Sequence, residues 1–544
     1  MLSQCAPYPY SPEERPIFPG SPYSPRHTRR RRKIYALSAL VMAMASGLGN
    51  GMITANMPVL AGEMGLYVAE ANILLAVYVA FNATANLLLV KARQQFGIPA
   101  TMHVVLGALM AAQAIQLAAP GFATAVLARA ISGLAAGGLT TLSLYSIFQV
   151  FPLNMRPVAA VVGFSLPQLA SPLARLFPLD AIGPDGWHGL HLVELAMALG
   201  AWAMLNLVPL PPVEREKVFE PLDALSTALF ISGMLLVGSA LATGRYGWWT
   251  ETPWLGWSFA GGIPLLGLAL LIEDRRARPL LRVRWYGSAE ILFFTIVAIL
   301  IRLALGEQTY AAIGLLSLGG QTSDQLHGLF GVVFLAMAGG IATVALTLRV
   351  ERIVPMIMVA ALVIALGALL DSQATSLTRA PQLYLSQALI GFGTTLFLGP
   401  ALLLGIGHIM RQGAQYLVSF VVLFSTTQNL GGLAGSALLG SIQTMRERIH
   451  AEYLAEALFR GDPQVVARAQ AYAQTIAAQI PDPAARSAQA NVLFGQALHA
   501  QANVLAYNDT FLVIACLALA TGAYVAIVAI RSRMAAAAPK GNQP

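Results

Sequence analysis

Fourteen apolar stretches, each near the length that crosses a bilayer, decide what this chain can become. They run at about 34–57, 70–90, 100–118, 123–146, 158–177, 188–210, 223–243, 254–272, 287–318, 326–347, 354–371, 382–404, 417–442 and 510–530. A helix of ~20 residues spans ~30 Å of hydrocarbon. A segment with no water beside it must also satisfy its own backbone N–H and C=O groups, which a helix does. The composition agrees: 57% of residues are hydrophobic and 11% charged, against roughly a quarter charged in soluble domains. The expected class is an all-α polytopic membrane protein with 14 transmembrane helices.

Where the charge sits matters more than the net +8. Twenty-three of the 33 Lys and Arg residues fall in the N-terminal tail and the loops of one side, and only Arg245 and Arg379 in the short loops of the other. By the positive-inside rule both termini are cytoplasmic, and the multi-pass chain belongs in a bacterial inner membrane. The basic surplus is thus accounted for by topology and the bilayer surface, with no need for nucleic acid. Residues 1–25, rich in Pro, Ser and Tyr, read as a disordered tail. No charge interrupts Ile34 to Gly62, too long a run for a signal h-region, so the first helix is expected to stay uncleaved.

The chain also repeats. An offset of 258 residues carries Lys91-Ala92-Arg93 onto Arg349-Val350-Glu351, and RAISGLAAGG at Arg129 onto QALIGFGTTL at Gln387. Two matched bundles follow, with a site expected at their interface. The expected divisions are a basic tail (1–33), a six-helix bundle (34–210), two inserted helices with connectors (211–286), a second six-helix bundle (287–533) and a cytoplasmic tail (534–544). The second bundle contains a polar, alanine-rich outer segment, 444–509. That segment is either a docking surface for a partner or a solvated hairpin.

A few polar groups interrupt the apolar runs. Arg129 lies inside LARAISGLAAGG (Leu127 to Gly138) with Gly133 and Gly137 at small-xxx-small spacing. A guanidinium there costs at least ~2.5–3.5 kcal/mol, so it is either a pin between helices or the wall of a path. Three acids fall within spans: Glu194, Glu290 and Glu307. His188, His191 and Glu194 share a helix face, and a carboxylate beside histidines suits proton handling. Arg302 sits near mid-bilayer, out of register with Glu307, and needs a partner on another helix or an anionic substrate. Tyr78, Asn82 and Asn86, then Gln113 and Gln116, then Gln428 and Asn429, form neutral polar stripes. These are either cavity wall or interhelical hydrogen bonds. GxxxxGK[ST] and metal-spaced His/Cys clusters do not occur, so neither ATP-driven pumping, an enzymatic role nor a metal or other cofactor is expected.

In sequence order, LARAISGLAAGG, WHGLH at 187–191, TGRYGWW at 243–249, EDRRARPLL at 273–281, QNLGG at 428–432 and LAYNDTF at 505–511 resemble the major facilitator superfamily. The similarity is to its fourteen-helix drug:proton antiporter branch, of EmrB/QacA type, and covers nearly all of 34–533. That resemblance implies two six-helix bundles plus two inserted helices. It also implies multidrug efflux of amphipathic, often aromatic compounds by proton antiport, with a role in antibiotic resistance. A periplasmic adaptor and an outer-membrane channel would be the partners. On this footing Glu194, His191, Arg129, Glu290 and Glu307 are candidates for proton coupling. Arg302, Tyr78, Asn82, Asn86, Gln113, Gln116, Gln428 and Asn429 are candidates for substrate binding. The chain departs from the pattern at Gly49, where the family usually has an acid, and at Gln428, where it has an arginine. An importer or facilitator, or a non-transporting scaffold, is the alternative.

Overall fold

The computed structural model describes residues 11, 14, 16, 20–177, 186–276, 279–306, 310–413, 416–458 and 462–537. Among these residues there is helix but no strand, and 13 helical segments are long and apolar enough to cross a membrane. The protein is therefore a multi-pass membrane protein. The first half comprises α1 (Arg29–Ala55), α2 (Val68–Phe96), α3 (Ile98–Ala118), α4 (Phe122–Val150), α5 (Leu153–Ala174) and α6 (Gly186–Leu207). Then come α7 (Pro221–Gly247) and α8 (Pro253–Asp274). The second half holds α9 (Ala289–Ala304), α10 (Ala311–Leu318), α11 (His327–Thr347), α12 (Ile353–Asp371), α13 (Tyr384–Gln412), α14 (Leu417–Ala457), α15 (Pro463–Thr475) and α16 (Pro483–Ala537).

Within the first half α1, α2 and α3 all pack on α4, and within the second α11 and α12 pack on α13 while α14 and α9 pack on α16. The halves meet along two seams, α2 against α14 and α5 against α11 and α13. The inserted α7 pairs with α8 and lies on both α2 and α14. Small residues permit the closest approaches. A Cβ on Gly133 would meet the backbone of Asn82 at 3.1 Å, and one on Gly391 the carbonyl of Val333 at 3.3 Å. The two positions are related by the 258-residue offset, and each takes a neighbouring helix at close range, α2 on Gly133 and α11 on Gly391.

The stretch expected as one helix, 287–318, is divided between α9 and α10 on either side of 305–310. Beyond α9, a Cβ on Gly306 would lie 3.1 Å from the carbonyl carbon of Gly435 in α14, leaving no room for a side chain. Residues 21–25 also depart from expectation. They pack on the basic face instead of hanging free: Ser21 and Ser24 are buried, Gln149 Nε2 donates to the Tyr23 carbonyl at 3.1 Å, and Tyr23 Oη donates to Glu214 at 2.7 Å. His27 Nε2 lies 2.8 Å from Gln149 Oε1.

On that same face, charges at the ends of α2, α7 and α8 form a buried cluster. Lys91 pairs with Asp223 at 2.9 Å, and Arg276 reaches Asp223 and Glu220 at 2.7 Å and Glu273 at 2.8 Å. Burial opposes the Arg276 charge, but hydrogen bonds to these carboxylates outweigh it and hold its pKa above the usual value. On the opposite face α14 and α16, with 41 and 55 residues, outrun the apolar layer. Arg446 and His450 of α14 meet Asp509 of α16 at 2.5 and 2.7 Å, and α15 lies along α16.

Candidate functional site

Two cavities lie between the halves and meet at Arg302, Gln428 and Asn429, which line both. The one towards the basic face has a volume of about 260 Å³ and the other about 500 Å³. Side chains from both halves close the ground between them. Asn429 Nδ2 donates to Asn82 Oδ1 at 2.9 Å, while Asn82 Nδ2 donates to the Gly133 carbonyl at 3.1 Å. Arg302 Nε donates to the Gln428 carbonyl at 2.9 Å, and its stem rests on the Cβ-free surface of Gly431 and its guanidinium on that of Gly432.

The basic-face cavity is lined by Asn86, Arg93 and Tyr145 on one side and by Phe164, Phe420 and Phe424 on others. Tyr78, Asn50, Arg175, Arg245, Tyr310 and Tyr507 line the larger one. Of the expected substrate-binding residues, Tyr78, Asn82, Asn86, Arg302, Gln428 and Asn429 thus reach cavity wall.

Gln113 and Gln116 do not. They are 0% and 1% exposed and border neither cavity. Gln113 instead links three helices: its Nε2 donates to Ser132 Oγ at 3.2 Å, and its Oε1 lies 2.6 Å from His191 Nδ1. A helical stripe of amides looks the same whether it faces a cavity or a neighbouring helix, and here the neighbours are α4 and α6.

Arg129 is 2% exposed. Its Nη2 donates to Asn50 Oδ1, and its guanidinium lies 4.5 Å from the centroid of the Tyr78 ring. Among the described residues no carboxylate stands within ion-pair distance, although Glu194 is near enough for the charges to interact. Glu194 itself is 7% exposed. Its carboxyl fills the hollow beside Gly49 of α1, where an added Cβ would lie 2.8 Å from Cδ. Asn50, Arg129, His191 and Glu194 are therefore gathered in one buried polar cluster under the larger cavity, with Asn50 lining that cavity.

Glu290 stands apart, exposed near the basic-face end of α9 and accepting from Gln412 Nε2 at 3.3 Å. Glu307 lies outside the described residues. Two groups were missed. Arg93 escaped because its KAR triplet reads as a loop, yet α2 continues through Phe96 and buries it. Asp371, 1% exposed, accepts from Gln387 Nε2 at 2.7 Å. The 258-residue offset lays Asp371 on Gln113, the signal that could have found it.

No family model matches the chain. A stretch of 154 residues is 27% identical to the uncharacterized MFS-type transporter Rv1250 of Mycobacterium tuberculosis, covering 28% of this chain and 26% of that protein, so the match spans about a quarter of the relative. Among solved structures, a bacterial homologue of the human drug peptide transporters PepT1 and PepT2 superposes with a TM-score of 0.55 at 12% identity, over 92% of this chain and 99% of that one. The proton:xylose symporter XylE gives a TM-score of 0.54 at 13% identity, over 92% and 96%. The fold is that of the major facilitator superfamily.

Proposed function

We propose that this protein is a secondary transporter exporting amphipathic, aromatic small molecules across a bacterial inner membrane by proton antiport, with both termini cytoplasmic. The observation that carries the reading is the pair of cavities meeting at Arg302, Gln428 and Asn429 between the two halves. A solute site at a repeat interface is what rocking of one half against the other requires. Proton coupling is supported by Glu194, a buried carboxylate beside Arg129 and the His191–Gln113–Ser132 hydrogen-bonded chain. Such a carboxylate can gain and lose a proton as access alternates.

The direction of transport rests on the resemblance to EmrB/QacA-type exporters. The helical projection at 444–509 offers the surface that a periplasmic adaptor, and through it an outer-membrane channel, would meet. Proton-coupled import is the second reading, favoured by the likeness in fold to a proton:xylose symporter. The test is solute accumulation in cells with and without the protein, with and without an uncoupler. Export requires accumulation to fall only when both protein and gradient are present. Accumulation that rises with the protein and gradient marks import, and no change for any compound marks a scaffold.

A further inference from the structure

The two cavities contain arginines but, among the described residues lining them, no aspartate or glutamate. Arg302 lines both, Arg93 the basic-face cavity, and Arg175 and Arg245 the other. Arg93 is the sharpest case. It is 2% exposed, Nε and Nη1 make no hydrogen bond, and its guanidinium stands 5.8 Å from the Tyr145 ring centroid as it borders the cavity. Two residues away the fold supplies Lys91 with Asp223, and it surrounds Arg276 with three carboxylates. No carboxylate among the described residues comes within ion-pair distance of Arg93 or Arg302. A buried cation left without a counter-charge is costly, so an anion from outside the chain is the natural complement. Phe164, Phe420 and Phe424 of the same cavity, with Phe420 and Phe424 stacked at 6.1 Å, offer an apolar bed for the remainder of such a molecule.

We infer that the basic-face cavity binds organic anions, an aromatic body against Phe164, Phe420 and Phe424 and an anionic head on Arg93. This names a substrate class for the cavity on which the transport reading rests. Fixed positive charge of this kind selects against the cationic compounds that many efflux proteins accept. The same headgroup chemistry could be met by an anionic lipid, and the assay separates the two.

The experiment is equilibrium binding to the full-length protein in phosphatidylcholine nanodiscs, read by pyrene fluorescence, with no gradient imposed. The probes are 1-pyrenebutyrate, 1-pyrenebutanol and 1-pyrenemethylammonium, which share a ring system and differ in charge. The anion is expected to bind about tenfold more tightly than the alcohol, and the cation most weakly. Arg93→Gln should erase the preference of anion over alcohol. Arg93→Lys should retain part of it, since it keeps the charge and loses the fork. Equal binding of the three probes, or tightest binding of the cation, overturns the assignment. Displacement of pyrenebutyrate by phosphatidylglycerol added to the nanodiscs makes the occupant a lipid and also overturns it. If Arg93→Gln fails to fold, the ranking of the probes on the unaltered protein still decides. Selective anion binding by a protein that moves nothing in cells would defeat only the transport reading, whereas gradient-driven export of cations alone would defeat only this one.

Discussion

Glu194 on α6 occupies the space that a side chain at Gly49 on α1 would need: an added Cβ would lie 2.8 Å from Glu194 Cδ and 2.9 Å from Cγ. The α1 position where the sequence resemblance leads us to expect an acid is bare, and a carboxyl from a different helix stands beside it. Gly49→Ala should push that carboxyl out of its hollow and lower uncoupler-sensitive efflux several-fold at normal expression. The exchange Gly49→Asp with Glu194→Gly, which returns one carboxyl to α1, should restore part of it. Solute accumulation in cells measures both.

Glu194→Gln keeps the shape and removes the titrating group. Proton-driven efflux should fall by about tenfold or more, while pyrenebutyrate binding stays near normal. Unchanged efflux in the uncoupler assay removes Glu194 from the relay.

Arg129 is held by Asn50 and covered by the Tyr78 ring. Arg129→Ala therefore strips Asn50 of its donor and opens a hole between α1, α2 and α4. Transport should be crippled with the protein still present in the membrane. If the variant instead fails to accumulate, its role is that of a pin between helices.

Asp223 forms ion pairs with both Lys91 and Arg276. Asp223→Asn leaves buried cations short of charge, and a loss of about 3 kcal/mol is expected, the lower end for breaking a buried pair. Thermal unfolding in detergent should show a clear fall in midpoint. A shift no larger than that of a surface substitution would show that Glu220 and Glu273 suffice.

The seated tail gives a pH dependence. Burial lowers the His27 pKa below 6.5, Arg31 and Arg32 add to the effect, and the Gln149 hydrogen bond opposes it. The docked state thus binds fewer protons than the undocked one. Its contribution is fully present above pH 6.5 and is lost as pH falls through the docked value. Hydrogen-exchange protection at residues 20–28, corrected for the intrinsic rate at each pH, should be full above pH 6.5 and fall as pH drops through the docked His27 value, and His27→Gln should flatten the difference.

The spans and the repeat were legible because lipid imposes a length on every crossing helix, and a doubled bundle repeats its close contacts. Gly133, at small-xxx-small spacing with Gly137, marked a close helix approach and the offset carried it to Gly391, but neither named the partners, α2 and α11. The site was legible only in part. Asn82 and Asn429, 347 positions apart, each looked polar in an apolar run, but nothing local says that they bond to each other. Gln113 had the same appearance and turned out to face α4 and α6. The Gly49–Glu194 fit is a matter of shape between helices distant in sequence, which periodicity does not encode. Arg93 was hidden because a basic triplet near a helix end looks like solvent-facing loop until the neighbours that bury it are known.

The seating of α7 against both α2 and α14 makes the two lateral flanks of the molecule unequal. At one, a third helix hangs like a curtain between the acyl chains and the joint of the bundles. At the other, α5 meets α11 and α13 with no inserted helix between. The inserted pair thus screens one joint from lipid, while the other, closed by Val161 against Phe397 and by Leu169 against Val333 and Met337, meets the bilayer without a covering helix.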